Sequence, residues 1–381
     1  MLIKYWPIAF GIANLMSVYR MFKEYGDIAF NVCLAIGVLF IISKIRKVVS
    51  TKSIAKYNFI YLYVIILWVY QLVFGMDHIH PKTWTYLLAK TVMLLNIVIA
   101  VEEWPEFQFK QFYTRICYIV TTLLLMGLFL NPWSIDGRLS CGFSNPNQMG
   151  SLCAICFAYL LQVEKTQQKI KYKKLLIAIL LFGVIMSASR AALGFVVVAL
   201  LFKYRFSLKL VGVIALTGVI LFVVLPRLNI KLLGIDRLME TVQSENLSQG
   251  RELQREAAWY MINTHPIEGN GIYCEQSKEA SRITDLGSHN AYLDFLKWFG
   301  YPFGIALIAS LILCSLKILI RNWNNPDSIA RTHFIVVLGI LPLSMYEGLI
   351  WGVNEIDNTL FFVSFAVLCN YTAVKSHSLA Q

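Results

Sequence analysis

Residues 174–202 read KLLIAILLFGVIMSASRAALGFVVVALLF. After its opening Lys174 the stretch is apolar except at Ser187-Ala188-Ser189-Arg190, and basic residues bracket it: Lys165, Lys169, Lys171 and Lys173 before, Lys203, Arg205 and Lys209 after. About 20 apolar residues in a helix cross about 30 Å of hydrocarbon. With no water there, the backbone must satisfy its own hydrogen bonds, so each apolar run is expected to be a helix. As one kinked element, the stretch would leave its basic flanks on opposite sides of a bilayer. As two spans meeting at the membrane surface, 174–188 and 190–202, it puts them on one side. Lys and Arg gather in short cytoplasmic loops, so the two-span reading is the better one, and it places Arg190 at the opposite surface.

The same alternation runs along the rest of the chain. Of 381 residues, 57% are hydrophobic and only 15% charged, with a mean hydropathy of +0.61, which excludes an ordinary soluble domain. Twelve or so spans are expected, at 5–19, 27–43, 58–75, 85–101, 113–130, 147–163, 174–188, 190–202, 208–225, 291–316, 333–350 and 357–374. The expected fold is therefore an all-α polytopic integral membrane protein, one membrane domain over residues 1–381. Lys44, Arg46, Lys47, Lys52 and Lys56 join the basic side, as do Lys317, Arg321, Arg331 and Lys375. That side, with both termini, is expected to be cytoplasmic. The first 20 residues show no clear small-residue cleavage site and read as a retained span. The net charge of +12 follows from this topology, so membrane lipid is an expected partner and nucleic acid is not. No inverted internal repeat is visible.

Most of the eight cysteines lie inside apolar runs, where Cys acts as a small hydrophobe. Cys153 and Cys156 form a C-x-x-C, but mid-span and without a second pair, which argues against zinc or redox work. Cys141 and Cys274 both fall in loops expected outside, which leaves a disulfide between them open.

One segment breaks the pattern. Residues 226–290 form a long polar loop with seven basic and nine acidic residues, expected outside the cytoplasm and expected to carry part of an active site. Four clusters on that side could carry chemistry. Asp136-Gly137-Arg138 precedes Ser144-Asn145-Pro146-Asn147-Gln148-Met149-Gly150 at the entry of a span, where a helix N-terminus favours anions; simple turn chemistry and capping would explain the same residues. Ser187-Ala188-Ser189-Arg190 ends an apolar helix with a guanidinium, whose planar fork suits phosphate. An arginine snorkelling to the interface is the plainer account, though positive charge is disfavoured on that side. Gly250-Arg251-Glu252 leads into an amphipathic helix, Leu253–Asn263, lying along the surface, with Arg255 one turn on; a solvated helix face is the alternative. Ser288-His289-Asn290-Ala291-Tyr292 opens another span. Its histidine could accept a proton from a sugar hydroxyl near neutral pH, or merely cap the helix. The remaining histidines show no recognised metal-ligand spacing.

These residues carry a resemblance. The chain is similar to the O-antigen ligase/polymerase superfamily, the Wzy and lipid A-core ligase group, over residues 140–305 or so. The similarity rests on Asn145-Pro146-Asn147-Gln148-Met149-Gly150, Ser187-Ala188-Ser189-Arg190, Gly250-Arg251, Trp259, Pro266, Gly269, Gly271, Ser288-His289-Asn290-Ala291-Tyr292-Leu293 and Gly300. It implies a GT-C-like glycosyltransferase working outside the cytoplasmic membrane, without metal or other cofactor, on glycans carried by undecaprenyl diphosphate. By that resemblance Arg190 and Arg251 would bind the diphosphate, with Arg138, Arg255, Asn147 and Asn290 as further substrate-binding residues. His289 would be the general base or would orient the acceptor glycan. A flippase and a chain-length regulator are the protein partners it suggests.

A polysaccharide polymerase is the expected activity, joining lipid-linked repeat units of an O-antigen, capsule or exopolysaccharide. His289 is followed directly by Asn290 and Ala291, without the extra histidine of some ligases, which leans away from transfer to lipid A-core. A transporter of lipid-linked sugars is the reading from another class. It rests on Lys90, the main charge expected inside a span.

Overall fold

The computed structural model describes residues 5–76, 82–104, 106–130, 134–135, 138–164, 168–204, 207–208, 211–212, 251–272, 274, 277–284, 287–325, 327–353 and 355–378. Among them the protein is all-α, apart from a minimal hairpin in which Ser134–Ile135 pairs antiparallel with Arg138–Leu139. Helices stand at eleven of the twelve expected spans: Trp6–Val18, Lys23–Ser43, Asn58–Val73, Thr83–Glu103, Glu106–Leu130, Pro146–Gln162, Lys173–Ser187, Arg190–Tyr204, Ala291–Asn322, Ser328–Leu343 and Ile356–Ser378. The twelfth, expected at 208–225, lies almost wholly outside the described residues, as do Asp136 and the loop from 226 to 250. Among the described residues four helices are long and apolar enough to cross a membrane: Arg20–Ser43, Thr83–Glu103, Lys110–Leu130 and Ala291–Asn322. Shorter apolar helices, Trp6–Val18, Asn58–Val73, Ser328–Leu343 and Ile356–Tyr371, accompany them. The lysine-rich connection 44–57, read as a loop, is itself folded into two short helices, Ile45–Val48 and Thr51–Lys56.

Three successive helices confirm the two-segment reading of 174–202. Lys173 reaches the Val163 carbonyl at one end of Pro146–Gln162, while Gly150 at the other end lies against Ser187 and Ser189. A Cβ on Gly150 would stand 2.4 Å from Ser187 Oγ, so glycine is what permits this approach. The next helix, Arg190–Tyr204, then runs back: Gln162 Nε2 donates to the Ala199 carbonyl at 3.2 Å. The chain reverses at Ala188, in the left-handed region at φ +48. Both helices pack on Pro146–Gln162, whose buried face is Ala, Cys, Leu and Phe.

The bundle has two chemically different ends. At one, Lys44 bonds Glu103 at 2.8 Å and Lys47 approaches both Glu102 and Glu103. At the other, Thr83 Oγ1 donates to the Ile272 carbonyl, and the Arg20 amide donates to the Gly142 carbonyl. The segments around 142 and 272 therefore share the end opposite the lysine-rich one.

Two expected spans need correction. Ala291–Asn322 is not one continuous span: Gly300 sits at φ +65, ψ 179, and separates a short helix from a membrane-length one. The reason is a backbone interlock. Asn270 and Gly271 amides donate to the Lys297 and Trp298 carbonyls, and the Tyr301 amide donates to the Pro266 carbonyl at 2.7 Å. A Cβ on Gly269 would lie 2.3 Å from the Trp298 oxygen, and one on Gly300 would lie 2.3 Å from the Ile267 oxygen. Only paired glycines allow the two backbones to meet so closely. The other correction is 333–350, where the helix is Ser328–Leu343 and the chain then turns. Pro342 in its last turn and the Ser344 carbonyl, which accepts from the Ala291 amide, close it early.

Lys90 is fully buried within Thr83–Glu103. Its ammonium donates to the Ile350, Trp351 and Gly352 carbonyls and to Asn358 Oδ1, and stands over the Tyr63 and Phe362 rings. That set of acceptors compensates its desolvation and ties one loop to the bundle.

Candidate active site

Three helices begin at the wall of a single cavity of about 500 Å³. Arg190 and Arg251 each stand at the first position of their helices, and Asn147 at the second position of its own. All three line the cavity, joined by Arg138 and Arg255. The positive ends of helices favour anions, and four guanidiniums around one space do so more strongly. The lining also has apolar members, Phe195, Val198, Pro342 and Leu343, with Gly194 and Gly339. A lining that combines guanidiniums with apolar side chains suits a ligand with an anionic head and a hydrocarbon tail.

Local sequence places each group. Asn145 caps the Pro146–Gln162 helix, its side chain accepting from the Asn147 amide at 2.8 Å, and Pro146 takes the first helical position. Arg138, on the small hairpin, donates from Nε to the Ser187 carbonyl at 2.7 Å and from Nη2 to Asn147 Oδ1. Within 144–150, then, Asn145 caps the helix while Asn147 lines the cavity. Arg251–Thr264 is amphipathic as expected: Gln254, Ala257, Ala258, Met261 and Ile262 are buried, at spacings of three and four, while Trp259 and Tyr260 are exposed. It rests on the Ala291–Asn322 helix, which turns Arg251 and Arg255 toward the cavity.

His289 and Asn290 do not line the cavity. Asn290 is the helix cap: its Oδ1 accepts from the Tyr292 and Leu293 amides at 3.0 and 3.2 Å. The capping role considered for His289 therefore belongs to its neighbour, and the Asn290 side-chain oxygen, expected to bind substrate, has a local partner instead. His289 sits at φ +48, left-handed, a conformation in which a residue other than glycine is strained. Its Nδ1 lies 3.6 Å from Glu347 Oε2.

Glu347 is the residue that sequence reading missed. It lines the cavity, is 8% exposed, and its Oε1 accepts from Arg251 Nη2 at 3.1 Å. The neighbouring Tyr346 carbonyl accepts from Arg251 Nη1 at 2.8 Å. The signal was there: an acid inside a run read as a span is costly unless it has a purpose. The helix end at Leu343 takes Glu347 out of the span and beside the arginine.

Cys141 and Cys274 are both free thiols, and burial pushes the pKa of each up to about 11.

Residues 175–308 match the model of the O-antigen ligase family. Over that segment the chain is similar to O-antigen ligases. The matched segment holds Arg190, Arg251, Arg255 and His289, while Arg138, Asn147 and Glu347 reach the same place from outside it. No curated protein matches the chain. O-antigen ligases are glycosyltransferase-like enzymes, and the apolar helices of this chain agree with an integral membrane protein of that kind.

Proposed function

We propose that this protein is a polysaccharide polymerase that moves a growing glycan from undecaprenyl diphosphate onto the next lipid-linked repeat unit. The observation that carries the reading is the convergence of four arginines and three helix N-termini on one cavity whose lining also includes apolar side chains. Arg190 and Arg251 hold the diphosphate, with Arg138, Arg255 and Asn147 beside them, and the polyprenyl chain follows the Phe195, Val198 and Leu343 side. The reaction needs no metal, because the guanidiniums meet the charge that gathers on the leaving group. His289 accepts the proton of the acceptor hydroxyl as its oxygen attacks the donor anomeric carbon. The bond from that carbon to the diphosphate oxygen breaks, and the electron pair leaves with undecaprenyl diphosphate.

The arginine-lined end of the bundle faces away from the cytoplasm in this reading, and the lysine-rich end faces inward, as the alternation of basic loops favours. The absence of a second histidine after His289 supports polymerase over ligase. The transporter reading loses its main support, since Lys90 is engaged by three carbonyls and an amide. The test is incubation of the purified protein with its lipid-linked repeat unit alone, or with that unit and lipid A-core. A ladder of longer lipid-linked glycans from the unit alone establishes the polymerase. Product only when lipid A-core is added makes it a ligase, and no product in either case defeats the reading.

A further inference from the structure

Glu347 touches both halves of the chemistry with its two oxygens. Oε1 accepts from Arg251 at 3.1 Å, and Oε2 lies 3.6 Å from His289 Nδ1. The first is a charge-assisted hydrogen bond and the second is longer than one. At 8% exposure the carboxylate depends on a cationic neighbour, because a buried charge without a partner is costly. A diphosphate entering the cavity competes for the same guanidinium, with more charge than a carboxylate has. Once Arg251 turns to the diphosphate, the nearest remaining cation for Glu347 is the imidazolium that His289 becomes on accepting a proton.

We propose that Glu347 couples donor binding to catalysis, competing with the diphosphate for Arg251 and, when displaced, supporting protonated His289. The proposal rests on the functional reading above and adds to it an order of events: the base is fully supported only after the donor has taken Arg251. Glu347 is thus a positioning residue, acting through Arg251 and His289. Its Oε2 also selects the histidine nitrogen, since Nδ1 facing the carboxylate leaves Nε2 for the acceptor hydroxyl.

The coupling predicts a split that an ordinary structural contact would not give. Glu347→Gln removes the competitor for Arg251, so the purified full-length variant should bind undecaprenyl diphosphate in detergent micelles several-fold more tightly than wild type. Its kcat for glycan transfer should fall roughly 10- to 100-fold, part of what a general base contributes, with no rise in KM for the donor. In an Arg251→Ala background the gain in binding should vanish, and in a His289→Ala background the loss in kcat should vanish. Weaker binding by the Gln variant, or an unchanged kcat, would overturn the coupling, as would effects that persist in both backgrounds. Should the Gln variant not fold, Glu347→Asp keeps the charge and should retain kcat within about tenfold of wild type; a loss as deep as that of His289→Ala would overturn the proposal. A wild-type protein that makes no glycan product defeats the functional reading instead, whereas an active wild type with an indistinguishable Gln variant defeats the coupling alone.

Discussion

Replacing His289 with Asn separates catalysis from architecture, because the structure makes the substitution nearly free for the fold. The position lies at φ +48, where Asn is among the residues that enter the left-handed region most readily. The helix cap next door is held by the Asn290 side chain, bonded to the Tyr292 and Leu293 amides, and does not depend on His289. What the fold loses is the approach of Nδ1 to Glu347 at 3.6 Å, by a ring one third exposed. Even a charged pair at so open a position would contribute at most about 1 kcal/mol. Catalysis should lose far more. A general base supplies on the order of 10²–10⁴-fold in rate, equivalent to about 2.7–5.4 kcal/mol of barrier at 1.36 kcal/mol per tenfold. The assay follows polymer formation from purified lipid-linked repeat units alongside thermal unfolding of the same preparation. His289→Asn and His289→Ala should both fall to residual product, while the Asn variant keeps its unfolding temperature within a few degrees. Near-normal polymer from the Asn variant would refute the reasoning and remove His289 as base. Activity lost only in step with unfolding would refute it too.

Arg190→Ala and Arg251→Ala should each abolish polymer while the protein still inserts and accumulates, and lysine should restore little, since it lacks the bidentate fork; full-length polymer from either alanine variant removes that arginine from donor binding. Gly269→Ala forces a Cβ to within 2.3 Å of the Trp298 oxygen at φ +70. Strain of about 1–2 kcal/mol and overpacking of about 1–3 kcal/mol should lower the unfolding temperature and cut activity, whereas an unchanged melting curve would mean the loop does not depend on this interlock. For topology, single cysteines at Lys52 and Lys278, both exposed, should differ in a cysteine-free background: a membrane-impermeant thiol reagent added to intact cells should modify position 278 and spare 52, and the opposite pattern would turn the proposed site to the cytoplasm.

Periodicity and charge made much of this molecule readable in advance. Helices cross a membrane because their backbone bonds close locally, so the apolar runs at 85–101, 113–130 and 147–163 reappear as Thr83–Glu103, Glu106–Leu130 and Pro146–Gln162 within a few residues. The break at Ser187–Arg190 was legible too: an arginine inside an apolar run is costly mid-bilayer, which favours a chain reversal there, and the two helices do meet at Ala188. Five polar residues singled out from the sequence, Arg138, Asn147, Arg190, Arg251 and Arg255, do share a cavity. Their separate motifs were weak, and topology alone put them on one side.

What sequence alone determined, then, was what depends on neighbours along the chain: an all-α membrane protein, its basic loops, and the glycines and arginines at its turns. The tertiary structure decided what depends on residues far apart. That Asn290 caps and His289 does not follows from a backbone forced left-handed at 289. That Ala291–Asn322 breaks at Gly300 follows from a loop, Pro266–Gly271, lying against it closely enough to exclude any Cβ. That Glu347 joins Arg251 to His289 required a helix to end early, and then three residues 251, 289 and 347 to meet in space. Local hydrogen bonding leaves its mark on a sequence as spacing; a carboxylate set between two side chains distant in sequence leaves none, because its energy comes from burial and charge that exist only once the helices have packed.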